Sequence, residues 1–259
     1  MFATDLYIDT TLKNEKVLKY EYLKEHIKNS NYRTILEIGC GAGTVCRTLA
    51  KDFPDKEITG YDVDCRAINW ANSKNWEALF FKKYNNLDYT NSLTGLTKGE
   101  LVILLDVLEH VKHPDSFLHT LNIISNKKYK LFIHIPLEKS GIYSINYFRD
   151  IKSLYSEHEK FYKYEWLVDL LDHNGFRVIE QKFHYHFISG FRDFLKYYLL
   201  YKSNIEVNDK EAFYTKNWQN LYKSKFLLKI LDFCAYYESK FLAPIEFGAS
   251  GVTLIAEPK

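Results

Sequence analysis

Three glycines alternate with other residues in the segment Leu36-Glu37-Ile38-Gly39-Cys40-Gly41-Ala42-Gly43. They follow a short apolar run, where a chain leaving a strand must turn tightly and let a ligand come close to its backbone. The helix expected next presents N–H groups without intrahelical partners in its first turn. A plain strand-to-helix turn needs one glycine, whereas three favour a nucleotide-like ligand. Asp62 ends the next β-rich run, nineteen residues after Gly43, where a carboxylate can accept both ribose hydroxyls of an adenosine. Asp62 and Asp64 are equally suited to capping a helix. Asp88, in Tyr84-Asn85-Asn86-Leu87-Asp88-Tyr89, follows a third run and can accept from an adenine amino group or serve as a solvated turn acid. A fourth run ends in Asp106-Val107-Leu108-Glu109-His110-Val111, which gathers two acids and an imidazole within five positions. The glycine spacing departs from the dinucleotide pattern G-x-G-x-x-G, because Thr44 holds the third glycine's place and Gly43 comes one residue early. That departure weakens a nicotinamide dehydrogenase reading.

The elements that must position these residues alternate regularly. Leu12–Lys28 places Leu12, Val17, Tyr20, Leu23 and Ile27 near helical spacing, which predicts an amphipathic opening helix. Strands are expected at Arg33–Ile38, Glu57–Tyr61, Leu79–Tyr84, Leu101–Leu105, Lys130–Ile135, Phe176–Lys182 and Val252–Ala256. Helices are expected at Thr44–Lys51, at Arg66–Asn75, from Pro114 to about Ile124, and at Tyr164–His173, where Asn174-Gly175 is a stop signal. Such alternation implies parallel crossovers and a sheet covered on both faces. Ligands of these sheets bind at the carboxyl ends of the strands, where the strand order reverses. Between strands six and seven lie the 64 residues Phe187–Ser250, where a hairpin would need only a few. Phe191–Tyr201 and Leu221–Leu242 read there as helices. With sixteen aromatics in the insertion, it reads as part core and part lid.

The chain has 259 residues, of which 46% are hydrophobic, enough for a full core in one domain and too many for a disordered chain. Thirty-five basic against thirty-three acidic residues leave a net charge of +2, too small an excess to draw nucleic acid. None of the four cysteines forms a C-x-x-C pair, so neither a zinc ribbon nor a thioredoxin-like site is suggested. No run approaches the roughly eighteen apolar residues of a bilayer span, and Met1–Tyr20 is too charged for a signal peptide. A soluble cytoplasmic protein with reduced thiols is expected.

Taken in order and spacing, the glycine-rich loop, Asp62 and the D-V-L-E-H-V segment resemble the class I S-adenosylmethionine-dependent methyltransferases. The branch they are most similar to is the small-molecule one that includes the ubiquinone-biosynthesis O-methyltransferases. His158-Glu159-Lys160-Phe161-Tyr162, followed by Trp166-Leu167 and Asn174-Gly175-Phe176, resembles that branch's H-x-x-F-Y, L and G-F pattern. The likeness runs from about Tyr32 to Ile179. It implies an α/β fold: a Rossmann-like, doubly wound, seven-stranded, mostly parallel sheet in a single domain over 1–259. The helical insertion 187–250 between strands six and seven would form part of a substrate lid. The resemblance further implies S-adenosylmethionine lying across strands one to four. Glu37, Gly39, Gly41 and Gly43 would line its methionine part, Asp62 would hold the ribose and Val63 would lie beside the adenine. Leu87 and Asp88 would bracket the adenine, with Asp106 and Val107 near the sulfonium.

The expected reaction is methyl transfer to an oxygen or nitrogen of a small-molecule acceptor by in-line displacement, with no nucleic-acid partner and no integral membrane segment. Two alternatives stand beside it: a non-catalytic S-adenosylmethionine-binding protein and a nucleic-acid methyltransferase. The latter would want a basic face or an N-P-P-Y-like tetrad after strand four. A hydroxyl or protonated amine acceptor needs a base, and His110, His134 and His158 are the candidates. His134, in Phe132-Ile133-His134-Ile135-Pro136, reads first as a core histidine satisfied by one hydrogen bond and second as the base. His110 also suits packing behind strand four, and His158 falls in a polar segment. Asp106, Glu109 and His110 match the E-x-x-E-H segment of enzymes of this branch that act on catechols and use a divalent ion. Asp in place of the first Glu shortens the reach, and no metal is expected.

Overall fold

A computed structural model describes residues 7–73, 79–83, 100–124, 129–138, 162–192 and 225–259. Helix α1 (Glu15–Lys28) starts where the Asn14 side chain accepts the Val17 N–H at 3.1 Å, a typical capping arrangement. Leu12 therefore lies outside the helix and is exposed, while Val17, Leu18, Tyr20, Leu23 and Ile27 are buried against the sheet. There follow β1 (Thr34–Ile38), α2 (Thr44–Asp52), β2 (Glu57–Asp62), α3 (Cys65–Ser73), β3 (Leu79–Lys83) and β4 (Leu101–Leu105). A single 3-10 turn (Leu108–His110) leads to α4 (Pro114–Ile124), β5 (Lys130–Pro136), α5 (Tyr164–His173) and β6 (Phe176–His184). Helix α6 (Lys225–Phe241) and β7 (Gly251–Pro258) complete the chain.

The seven strands form one sheet in the order β3-β2-β1-β4-β5-β7-β6. Strand β1 pairs in parallel with β2 on one side and β4 on the other, so the order reverses at the end of β1. β7 runs antiparallel to both β5 and β6. β6 and β7 each extend beyond the runs expected from sequence, because they pair from Phe176↔Pro258 to His184↔Gly251, with one shift between Val178 and Glu180. This pairing carries the polar His184 into a strand that composition alone would have ended at Lys182.

Leu101, Val102, Ile103 and Leu104 of β4 are all buried, each worth about 1.5–3 kcal/mol in removed apolar surface. The bend that follows at Asp106 thus starts from a firmly anchored strand. On one face of the sheet Leu104, Phe117, Leu121, Ile133, Leu167 and Leu171 join β4 and β5 to α4 and α5. On the other, Val17, Leu23, Leu49, Ile103, Phe132 and Tyr236 join them to α1, α2 and α6. Side chains alternate along a strand, so His134 shares the second face with Phe132.

Of the 187–250 insertion, a helical stretch at 187–192, α6 and the residues 242–250 after it are described. The helix expected at Phe191–Tyr201 lies outside the described residues beyond position 192, and the second expected helix is seen from Lys225. α6 is tied to α1 through Glu21, which Lys240 Nζ meets at 2.7 Å and to which the Tyr236 hydroxyl donates. Among the described residues no helix is long and apolar enough to cross a membrane.

Candidate functional site

The glycine loop is strapped to the end of β2: the Gly39 and Cys40 amides donate to the Tyr61 carbonyl at 2.7 and 2.9 Å. Gly39, Gly41 and Gly43 have φ of +77°, +51° and +78°, the left-handed region that side chains resist. A Cβ on Gly39 would come within 2.6 Å of Val107 Cγ2, while one on Gly41 would meet no atom within 4 Å. Gly39 is thus fixed by packing, and Gly41 faces open space, a cradle in which a ligand can approach the backbone. α2 begins at Gly43 with no side chain capping it. Gly39→Ala is expected to cost about 2–4 kcal/mol, from the backbone conformation and the displaced Val107 together. Gly41→Ala should show the backbone part alone. Thermal melting of the two variants checks this, and equal losses would mean that Val107 yields freely.

Asp62 reaches the same loop. Its Oδ2 accepts the Gly41 N–H at 2.7 Å and its Oδ1 accepts the Asp64 N–H at 2.8 Å. Each oxygen retains a second lone pair, so the carboxylate is oriented by backbone and still able to take two donors. Asp64 does the capping: its side chain accepts the Arg66 N–H at 2.9 Å and its carbonyl the Ile68 N–H at 3.1 Å. Val63, between them, is 52% exposed. Glu37 is buried at the base of the loop, where the Cys46 thiol donates to its Oε2 at 2.7 Å. Burial pushes the Glu37 carboxyl up to about 7, with the Cys46 hydrogen bond working against that rise.

The end of β4 holds a second constellation. Asp106 has a φ of +54°, and its N–H donates to the His134 carbonyl at 3.0 Å. Its Oδ1 lies 2.7 Å from His134 Nδ1 and its Oδ2 2.5 Å from Lys19 Nζ. Burial pushes the Asp106 carboxyl up, but the Lys19 ammonium and the His134 imidazole outweigh it and hold the group well below the usual carboxylate range. An ionised carboxylate at Nδ1 requires the proton there, which leaves the Nε2 lone pair of His134 as an acceptor. That Nε2 has no hydrogen-bond partner, although the residue is only 1% exposed. Burial pushes the His134 imidazole down to about 4; Lys19 acts in the same direction and Asp106 opposes it. The His184 ring stacks on His134 with centroids 5.6 Å apart, and Tyr185 meets it edge-on at 5.8 Å.

Tyr185 has a φ of +60°. Its N–H donates to Ser239 Oγ at 2.9 Å and its carbonyl accepts Ser250 Oγ at 2.8 Å. Asp106 and Tyr185 are the two non-glycine residues with positive φ among those described, and they flank the same imidazole. Backbone strain of this kind costs of order 1–3 kcal/mol per residue and gathers at functional sites. Glu109, fully buried beyond Asp106, has no hydrogen-bond partner on either carboxylate oxygen. Burial, reinforced by the Asp106 carboxylate, pushes it up to about 8.

The structure therefore brings Glu37, Gly39, Gly41, Gly43, Asp62, Val63, Asp106 and Val107 to one end of the sheet, with His134 behind Asp106. His110 is exposed on the 3-10 turn. Among the described residues no group of three His, Cys, Asp or Glu side chains is placed to hold a metal ion. His158, Leu87 and Asp88 lie outside the described residues. Lys19, Cys46, His184 and Tyr185 escaped the sequence reading. Only the H-Y-H run at 184–186, at the end of strand six, carried a visible signal.

A family model described as a methyltransferase domain matches residues 12–181. Over 121 residues the chain is 26% identical to the mitochondrial ubiquinone biosynthesis O-methyltransferase of Candida albicans, a match that covers 45% of this chain and 36% of that protein. The chain thus spans about a third of the length of that relative. Among solved structures, it is similar to an S-adenosylmethionine-dependent methyltransferase from Archaeoglobus fulgidus (TM-score 0.55, 18% identity, 96% of this chain and 97% of that one). It is also similar to the phosphoethanolamine N-methyltransferase 2 of Haemonchus contortus (TM-score 0.57, 16% identity, 93% of this chain and 52% of that one), whose structure holds phosphomonomethylethanolamine and S-adenosylhomocysteine. At these identities the structural likeness speaks for the fold. With two thirds of its length matched by one family model, the chain belongs to the methyltransferase-domain family, whose methyl donor is S-adenosylmethionine.

Proposed function

We propose that this protein transfers a methyl group from S-adenosylmethionine to an oxygen or nitrogen of a small-molecule acceptor. The observation that carries the reading is the pairing of the open Gly41 cradle with an Asp62 carboxylate oriented by the Gly41 and Asp64 amides. In this reading Glu37, Gly39, Gly41 and Gly43 line the methionine part of the donor. Asp62 accepts the ribose hydroxyls, and Val63 lies beside the adenine, with Leu87 and Asp88 from the third strand's end. Asp106 and Val107 border the reacting centre. When bound, S-adenosylmethionine supplies a methyl carbon activated by its sulfonium. The chain's own tasks are then to align the acceptor, exclude water and remove a proton.

His134 is the group for the proton. Asp106 holds its Nδ1–H, and Nε2 is an acceptor with no partner in the fold. His110 and His158 are the less favoured candidates, since His110 is exposed. The insertion between β6 and β7 would supply the cover that keeps water out; Tyr185, two residues before the insertion, already stands against His134. The small net charge supports a small molecule over a nucleic acid as acceptor.

The test is thermal melting with S-adenosylhomocysteine and, separately, with NAD, followed by an acceptor screen with labelled donor. S-adenosylhomocysteine at one hundred times its Kd should stabilise the fold by about 2.7 kcal/mol. A response to NAD with indifference to the thioether would overturn the reading. Binding without any labelled product across acceptor classes would favour a non-catalytic S-adenosylmethionine-binding protein.

A further inference from the structure

Lys19 sits in the middle of α1, on a helix whose Val17, Leu18 and Tyr20 are buried, and its side chain is only 18% exposed. Lysines on amphipathic helices ordinarily extend into water. This one turns towards the carboxyl end of the sheet. Its Nζ lies 2.5 Å from Asp106 Oδ2 and 6.0 Å from the centre of the Tyr185 ring. One ammonium thus addresses both of the strained residues that flank His134.

We propose that Lys19 is a positioning residue for His134, acting through Asp106. The proposal rests on the reading of His134 as the acceptor of the substrate proton. Asp106 has two carboxylate oxygens, and each is assigned: Oδ1 to His134 Nδ1 and Oδ2 to Lys19 Nζ. Held at one oxygen, a carboxylate can still swing about its side-chain torsions; held at both, it is fixed. The ammonium keeps the carboxylate ionised, which keeps the imidazole proton on Nδ1 and the Nε2 lone pair directed away. Its positive charge also disfavours a premature imidazolium. When the acceptor's O–C or N–C bond forms and the S–C bond breaks, the acceptor proton passes to Nε2. The imidazolium is then stabilised by Asp106, and the proton is later lost to solvent.

Several elements pack around the imidazole. Asp106 comes from the end of β4 and Glu109 from the 3-10 turn behind it. α1 supplies Lys19 together with Tyr22, which stacks on His184 at 5.1 Å. β6 and the residues after it supply Lys182, His184, Tyr185 and His186. Thr253 of β7 bonds His184 Nε2 at 2.6 Å, and Ser239 of α6 takes the Tyr185 amide. Of these, the Lys19 ammonium and the Asp106 carboxylate are the charges that act on His134 itself.

The experiment is nitrogen NMR of the imidazoles in the uniformly labelled full-length protein, with His134 assigned by its disappearance in His134→Gln. In the native chain His134 should show the Nδ1–H tautomer and remain neutral from pH 5.5 to 8. In Lys19→Met its titration midpoint should rise by about one pH unit or more, while Lys19→Arg should restore the native midpoint. An unchanged or lowered midpoint with an unchanged tautomer in Lys19→Met overturns the proposal and leaves Lys19 a packing residue. Lys19→Gln replaces Lys19→Met if the latter does not fold, as judged by its melting and its other histidine signals. The same samples titrated with S-adenosylhomocysteine keep the two readings apart. If the native protein does not bind the thioether, the methyltransferase reading fails, whereas the His134 midpoint still decides the role of Lys19.

Discussion

Asp62→Ala is expected to weaken S-adenosylhomocysteine binding by 10²-fold or more. A hydrogen bond to a charged group is worth about 1.5–3 kcal/mol, and the Asp62 carboxylate is free to accept two ribose hydroxyls beyond the two amides it already holds. Losing both is a loss of about 3–6 kcal/mol, or roughly 10²–10⁴ in Kd. The substitution also strips the Gly41 amide of its acceptor, so the loop loses one of the contacts that tie it to β2, while the Gly39 and Cys40 amides keep theirs to Tyr61. Asp62→Asn separates the two effects. It keeps an oxygen for Gly41 but loses the charge and one acceptor, so its affinity should fall between those of the native chain and the alanine variant. Isothermal titration with S-adenosylhomocysteine makes the measurement, alongside melting of each protein without ligand. A Kd for Asp62→Ala within threefold of native would mean that the ribose lies elsewhere and that Asp62 only shapes the loop.

The readability of this chain followed the range of the interactions. The strand runs and the Asn174-Gly175 stop are local patterns, set by apolar spacing and by residues that tolerate a left-handed turn, and the structure places them within a few residues of expectation. The glycine loop and Asp62 were readable for the same reason, since a cradle needs glycines and a strand end needs its acid close in sequence. Asp106 was readable as a strand-end acid, but its partners were not. Lys19 and His134 are separated from it by 87 and 28 residues. A lysine on an amphipathic helix looks like any solvated charge until the sheet order brings α1 over β4. The extension of β6 past Lys182 was hidden because the polar run Glu180–Lys182 reads as a strand end and His184 is polar, and pairing with β7 holds it in the ladder. Cys46 shows the same limit on a smaller scale. It stands nine residues from Glu37, and one helical turn aims its thiol at that buried carboxylate.

His134→Gln is expected to lower kcat by about 10²–10⁴, the usual contribution of a positioned general base, on the acceptor identified by labelled-donor screening. Affinity for S-adenosylhomocysteine should stay near native, because the glycine loop and Asp62 are untouched. The same variant also carries a consequence for stability, one that a base and a core histidine share, so turnover is what separates them. In the unfolded chain an imidazole takes up a proton near pH 6.5; in the folded protein burial, aided by Lys19, delays that uptake to about 4. The native fold therefore has the full benefit of neutral His134 above pH 6.5 and loses it as the pH falls towards 4. The loss amounts to about 3 kcal/mol over that window. Glutamine does not titrate, so His134→Gln should flatten this acid-side decline, as read by denaturant melts at pH 7 and pH 4.5. A histidine serving only the core would give the flattened stability curve with turnover unchanged. The loss of turnover, alongside the flattened curve and intact thioether binding, is the result that assigns the proton to Nε2. A variant that keeps its kcat removes His134 from the chemistry and returns the question to His110 and His158.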